Sequence, residues 1–200
     1  MKKIFTLICG LLIWTNTAQA SDPSIEFVNN LTDKIIENVL TSQQSTEEKL
    51  TEFRKEFTAA LDLKSIGQFV LGIYWRKATP AEREAFLTAF IDFTTKTWAD
   101  RFDMYTGQQI TFTGTRNAEG NQLYVDSQIQ NNPPVEVIWR LRKKKDGFRI
   151  IDIIVEGVSM AMSYRNEYSS FLQANDGSVV ALTKELERKS AAFKFSNEQK

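Results

Sequence analysis

The sequence predicts an α+β domain in which a curled, antiparallel, four-stranded sheet packs against helices. Three observations predict it. Apolar residues recur at helical spacing for nearly half the chain after Ser21. From Gln108 to Val155 the period changes to two, in four runs separated by short turns. Helical spacing then returns from Tyr164 to Leu186. Strands grouped between helices, rather than alternating with them, mark the α+β class.

Phe27, Leu31, Ile35 and Val39 recur every four residues and predict a first amphipathic helix. Ser45 with Glu48 makes a capping box for a second, whose stripe is Leu50, Phe53, Phe57 and Leu61. Asp62 is placed to cap a shorter third through Ile66, Phe69 and Val70, with Gly72 to end or bend it. Thr79 and Glu82 form another capping box, with Pro80 at the first helical position. Phe86, Phe90, Phe93, Thr97 or Trp98, and Tyr105 then follow on one stripe, predicting a helix of about seven turns.

Ile110, Phe112 and Gly114 open the sheet, and a turn follows at Arg116–Asn121. Leu123, Val125, Ser127 and Ile129 make the second strand, ended by Asn131–Pro134. In the third, Val135, Val137, Trp139 and Leu141 alternate with Glu136, Arg140 and Arg142, and Asp146-Gly147 signals a hairpin. Phe148–Val155 is apolar on both faces apart from Arg149 and Asp152, which predicts a central strand covered on both sides. Tyr164, Tyr168, Phe171 and Leu172 mark a helix broken at Ala174–Gly177, and Ser178 caps the last, carrying Val179, Leu182 and Leu186.

The N-terminus reads as an export signal over residues 1–20. Lys2 and Lys3 precede an apolar run from Ile4 to Trp14, and Ala18–Ala20 supplies small residues for cleavage before Ser21. That run is too short for a permanent anchor. Ile8 stands where lipidation of Cys9 needs a small residue, so the site is not a lipoprotein one. A single domain is expected over 21–192, with 193–200 a disordered tail. Cleavage removes two of 25 basic residues and the one cysteine, leaving 23 basic and 25 acidic residues and no thiol. Without disulfides, an exported domain of this size is held by its apolar core. The natural location is the periplasm of a Gram-negative bacterium.

What is missing bounds the chemistry. Near-zero net charge argues against nucleic-acid binding. There is no histidine, so the commonest general base and metal ligand are absent, and zinc or copper would need all-carboxylate coordination. No Ser-His-Asp triad or Cys-His pair can be assembled, and no nucleotide-binding glycine motif occurs. No cofactor is implied. Asp152 and Glu156, four residues apart along a strand, would stand roughly 13 Å apart, beyond the reach of a glycosidase pair. Asp152 is expected to pair with Arg140 or Arg149, and Glu156 to cap or bridge near Gly157–Ser159. A pocket Asp152 with Tyr105 or Tyr124 is the alternative, an enzyme of ketosteroid-isomerase type.

Arg142–Lys145 would dock an anionic headgroup or partner, or be a solvated hairpin tip. Tyr74, Trp75 and Arg76 would stack on or clamp a ligand, or else Trp75 joins the core and Arg76 pairs with a surface carboxylate. The strongest signal is 14 Phe, 4 Trp and 5 Tyr in a chain with no catalytic set. Such residues fill a core or wall a dry cavity, and pattern leaves both open. In a cavity, each acyl methylene would gain roughly 0.8 kcal/mol.

The order of motifs settles which family to expect. Phe69–Phe90, then Tyr105 and Gly107, then Val137–Gly177 closely resemble the toluene-tolerance, or MlaC, family across nearly all of the mature chain. The resemblance implies a cone-shaped sheet like that of nuclear transport factor two, with an added helical subdomain. It implies a monomeric periplasmic phospholipid carrier with no enzymatic activity. Its partners would be an inner-membrane ABC transporter complex and an outer-membrane lipoprotein–porin complex, and its role to maintain outer-membrane lipid asymmetry. A related branch is associated with hopanoid lipids. Matching motif positions are Phe69, Leu71, Tyr74, Trp75 and Arg76, then Asp152, Glu156, Gly157, Val158 and Ser159. The expected lipid lining is Tyr74, Phe90, Tyr105, Val125 and Val137, with Trp139, Ile153, Val155, Val158 and Met160. Arg76, Arg142 and Lys143 are the expected headgroup or partner contacts.

Overall fold

A computed structural model describes residues 22–40, 42–103 and 107–194. The expected signal segment and residues 195–200 of the expected tail lie outside the described residues. Helix α1 (Pro23–Ile35) starts at Asp22, whose carboxylate accepts from the Ser24 N–H, and continues into a π-helical turn over Ile36–Leu40. Its buried stripe is Val28, Leu31, Ile35 and Val39, so Phe27 sits at the edge, against Phe148. Helix α2 (Thr46–Ala60) carries the predicted capping box and buries Phe53 and Phe57. Helix α3 (Leu63–Leu71) is capped by Asp62. Gly72, at φ +55°, then turns the chain into the short α4 (Ile73–Lys77), which the apolar spacing did not announce. Phe69, expected in the core, is 41% exposed, and Leu71 is buried in its place.

Helix α5 (Pro80–Asp103) is the long aromatic element, 24 residues or nearly seven turns. It packs against α2, α3 and α7. Between α5 and α6 (Met160–Ala174), the rings of Phe86, Phe90, Tyr164 and Tyr168 stack and meet edge to face. Helix α7 (Val179–Ala191) closes the layer, tied to α5 by Lys96 donating to Ser190 at 3.1 Å.

The sheet is an antiparallel meander in the order β1 (Ile110–Asn117), β2 (Gln122–Ile129), β3 (Val135–Lys144), β4 (Gly147–Val155), β5 (Val158–Ser159). The fifth strand corrects the expected four. Glu156 (φ +50°) and Gly157 (φ +76°) make the two-residue left-handed turn that folds Val158 back onto Val155. Strand β4 is therefore penultimate rather than central. Its outer edge is sealed by β5 and by Leu61, which bridges Ile150, while the Asp62 N–H donates to the Ile150 carbonyl at 2.9 Å.

A bulge explains why β4 looked apolar on both faces. Leu141 pairs with Ile150 and Arg140 with Asp152, so Ile151 is extra and the side-chain parity reverses there. Phe148 and Ile150 before the bulge share the inner face with Ile153 and Val155 after it. A second irregularity between Phe112 and Gly114 does the same to β1.

Candidate functional site

Strand register assembles one apolar face. Ile129 pairs with Val135, Ser127 with Val137, Val137 with Val155, and Trp139 with Ile153. These side chains, with Ile110, form the sheet wall of a cavity of about 380 Å³. The opposite wall is helical: Thr32 and Ile36 from α1 and its π turn, Trp98 and Phe102 from the last turns of α5. Apart from Trp139, β-branched residues and one serine make up this sheet wall, and they do not fill the space between it and the helices. The space is left open for that reason. Exposed Arg101 and Asn131 mark the rim where the cavity meets solvent.

Three polar groups in the interior of the wall are already engaged. The Trp139 indole N–H donates to Ser127 Oγ at 3.0 Å, and that hydroxyl donates to the Val137 carbonyl at 2.8 Å. The Thr32 hydroxyl donates to the Asn29 carbonyl at 2.9 Å. No donor in the wall is left seeking a partner from these three groups, so the cavity favours a ligand that brings none.

Val137, Trp139, Ile153 and Val155, all predicted from sequence, come together here. The remaining lining candidates do not. Phe90 is fully buried in the aromatic stack, and Val125, though on the same sheet face, is fully covered by the core. Met160 is buried at the start of α6. Tyr74 packs on Gly177, under the Lys77 ammonium. Val158 is 62% exposed on β5. Tyr105 lies outside the described residues. Ile110, Ile129 and Val135 were legible as same-face neighbours of Val137 by strand alternation. Thr32, Ile36, Trp98 and Phe102 carry no sequence mark distinguishing them from core.

The expected headgroup contacts lie elsewhere. Arg142 is on the opposite sheet face, where it donates to Ser65 Oγ at 3.2 Å and pairs with Asp62 at 3.3 Å. Lys143 is exposed near the β3–β4 hairpin, its backbone bonded to Asn121. Arg76 is exposed on α4 and its carbonyl accepts from Arg83 at 3.3 Å. Burial pushes the Asp62 carboxyl up, but hydrogen bonds from Lys144 and Ser65 outweigh it and hold the group below its ordinary range.

The carboxylates have structural duties. Asp152 was expected to pair with an arginine. Instead it accepts from the Ser159 hydroxyl and from the Ala161 N–H at 3.0 Å, organising the start of α6. Arg140 bonds Gln122, at 3.0 Å, and Arg149 bonds Asp146, at 2.8 Å. Glu156 accepts from the Glu136 N–H and so bridges the end of β3 to the β4–β5 turn. Tyr124 lies between the guanidinium groups of Arg116 and Arg140, on the outer face with Asp152. Asp152 and Tyr124 are thus turned away from the cavity, while Tyr105 lies outside the described residues.

Comparisons with known proteins agree on one group. The family model described as MlaC protein matches residues 26–188. The intermembrane phospholipid transport system binding protein MlaC of Haemophilus influenzae is 23% identical over 174 residues, spanning 80% of this chain and 81% of that protein. Among solved structures, a phospholipid-binding protein from Ralstonia solanacearum, in complex with a phospholipid, superposes with a TM-score of 0.74 at 20% identity. That match covers 84% of this chain and 96% of the other.

Proposed function

The chain belongs to the MlaC family, and from that premise we propose that it is a phospholipid carrier. In this reading it shields acyl chains in the cavity between sheet and helices and shuttles them across the periplasm between outer-membrane and inner-membrane complexes. It works without catalysis, and its output is maintained lipid asymmetry of the outer membrane. The observation that carries the reading is the cavity's chemistry: a largely apolar wall in which the Trp139 indole N–H and the Ser127 hydroxyl are bonded within the wall itself. Such an interior attracts hydrocarbon, and its buried polar groups are not free to hold a polar substrate there.

The volume supports the same conclusion. At roughly 30 Å³ per water-sized group, 380 Å³ takes about a dozen methylenes. At about 0.8 kcal/mol each, their burial is worth on the order of 10 kcal/mol before the cost of ordering the chain. That room takes most of one acyl chain; a second requires the α1 and α5 wall to move outward. Among the described residues no helix is long and apolar enough to cross a membrane.

The test is native mass spectrometry of the protein purified gently from the envelope of its producing cells, followed by lipid extraction. A bound glycerophospholipid in near-stoichiometric amount is expected. Protein that emerges free of lipid, and stays so after incubation with phospholipid vesicles, would refute the carrier reading.

A further inference from the structure

The mouth of the cavity is chemically unlike its wall. Arg101 stands there with its guanidinium 5.2 Å from the centre of the Trp98 ring, and Trp98 is itself buried in the wall. The cation is thereby held at the boundary where apolar lining ends, against a π face that attracts it. None of the ion pairs seen among the described side chains involves Arg101. Arg142, by contrast, the arginine suggested by the sequence, is engaged by Asp62 on the other face of the sheet. Asn131 is the other exposed polar side chain named on the rim, and its side-chain carbonyl already accepts from the Asn132 N–H at 3.0 Å. That bond leaves its NH₂ as the free end. The rim therefore presents donors: a forked guanidinium and an amide.

We infer that Arg101, assisted by Asn131, holds the phosphate of a bound acyl lipid at the cavity mouth and so selects phosphate-bearing lipids over neutral lipids with the same chains. The inference rests on the carrier reading and adds its specificity element. A phosphate offers only acceptor oxygens, which the planar guanidinium meets two at a time. Stacking on Trp98 pre-orients the fork, so less side-chain freedom is lost on capture. The wall contributes affinity without discrimination, because every acyl lipid has the same methylenes. Discrimination has to come from the rim.

The experiment loads the full-length mature protein from vesicles of dioleoyl phosphatidylglycerol containing dioleoylglycerol. The two lipids carried off are quantified by mass spectrometry and normalised to the vesicle ratio. The wild type is expected to favour the phospholipid by about tenfold or more, the scale of a charge-assisted hydrogen-bond pair. Arg101→Gln should bring the ratio close to parity, Arg101→Lys should fall between, and Asn131→Asp should lower it by like-charge repulsion. Circular dichroism melts establish that each variant is folded; both positions are exposed, so no loss of fold is expected. A ratio unchanged in both Arg101→Gln and Asn131→Asp overturns the inference while leaving the carrier reading intact. Wild-type protein that loads neither lipid overturns the carrier reading and this inference with it. Glycerophosphate is expected not to displace loaded lipid; displacement on equal terms would mark a free-phosphate site and overturn the lipid assignment.

Discussion

Replacing Val155 by aspartate places a carboxylate in the sheet wall of the cavity. Val155 pairs with Val137 on one side and Val158 on the other, so its backbone position is fixed by the ladder. The new carboxylate then has two options when a lipid chain arrives. It can be stripped of water, at several kcal/mol for an unpaired ion. Or it can keep three or four waters, each occupying the place of a methylene worth about 0.8 kcal/mol. The cheaper course costs about 3 kcal/mol, which lowers lipid affinity at least ~100-fold. Val155 is only half-buried, so the empty protein can hydrate the carboxylate and remain folded. The assay is lipid retained per mole of protein after purification, with thermal melts as the fold control. Val158→Asp is the matched comparison: the same change three residues on, at a side chain 62% exposed, is expected to leave retention unchanged. Retention at the wild-type level in Val155→Asp, or equal loss in Val158→Asp, would refute the assignment of the cavity.

Ser127→Ala leaves the Trp139 indole N–H without its acceptor inside the wall, and should cost about 1–3 kcal/mol in urea or thermal unfolding. Tyr168→Phe should be neutral or stabilising by up to about 1 kcal/mol, because the buried Tyr168 hydroxyl has no hydrogen-bond partner among the described residues; a clear loss in the melt would disprove that. Asp92 joins α5 to α2 and α7 through Arg54, Lys96 and Ser190. Burial pushes its carboxyl up, but hydrogen bonds from Ser190, Arg54 and Lys96 outweigh burial and hold it below the ordinary value. A depressed folded-state pKa gives stability that is present above the unfolded value, near 3.9, and lost as pH falls through the folded one. Asp92→Asn should therefore cost about 1 kcal/mol at neutral pH, the scale of a solvent-screened pair, and the difference should vanish in melts run well below pH 4.

Much of the fold was written in local pattern. The capping boxes at Ser45 and Thr79, the Asp62 and Ser178 caps and the Asp146-Gly147 hairpin all occur where short-range hydrogen-bond chemistry puts them. Strand alternation likewise set Val137 and Trp139 on one face, and Val155 and Ile153 joined them. The misses have a common cause. A β-bulge at Ile151 reverses side-chain parity without altering composition, so β4 looked two-sided and central. The two-residue β5 is too short to show a period. Phe69 and Val158 are apolar yet exposed, which hydrophobicity alone cannot announce.

By itself the sequence determined the element types and most of their boundaries, because caps, turns and periodicity act between residues only a few positions apart. It also determined what chemistry is absent, since a chain without histidine has none to bring to a site. Only the tertiary structure decided that part of the apolar excess encloses a space while the rest fills the core. That outcome depends on how far Val137 and Val155 stand from Ile36 and Phe102 across the layer, and such a distance is set by packing between remote segments. The same is true of Arg101, an unremarkable helical arginine until α5 sets it at the rim of that space, which Asn131 also lines.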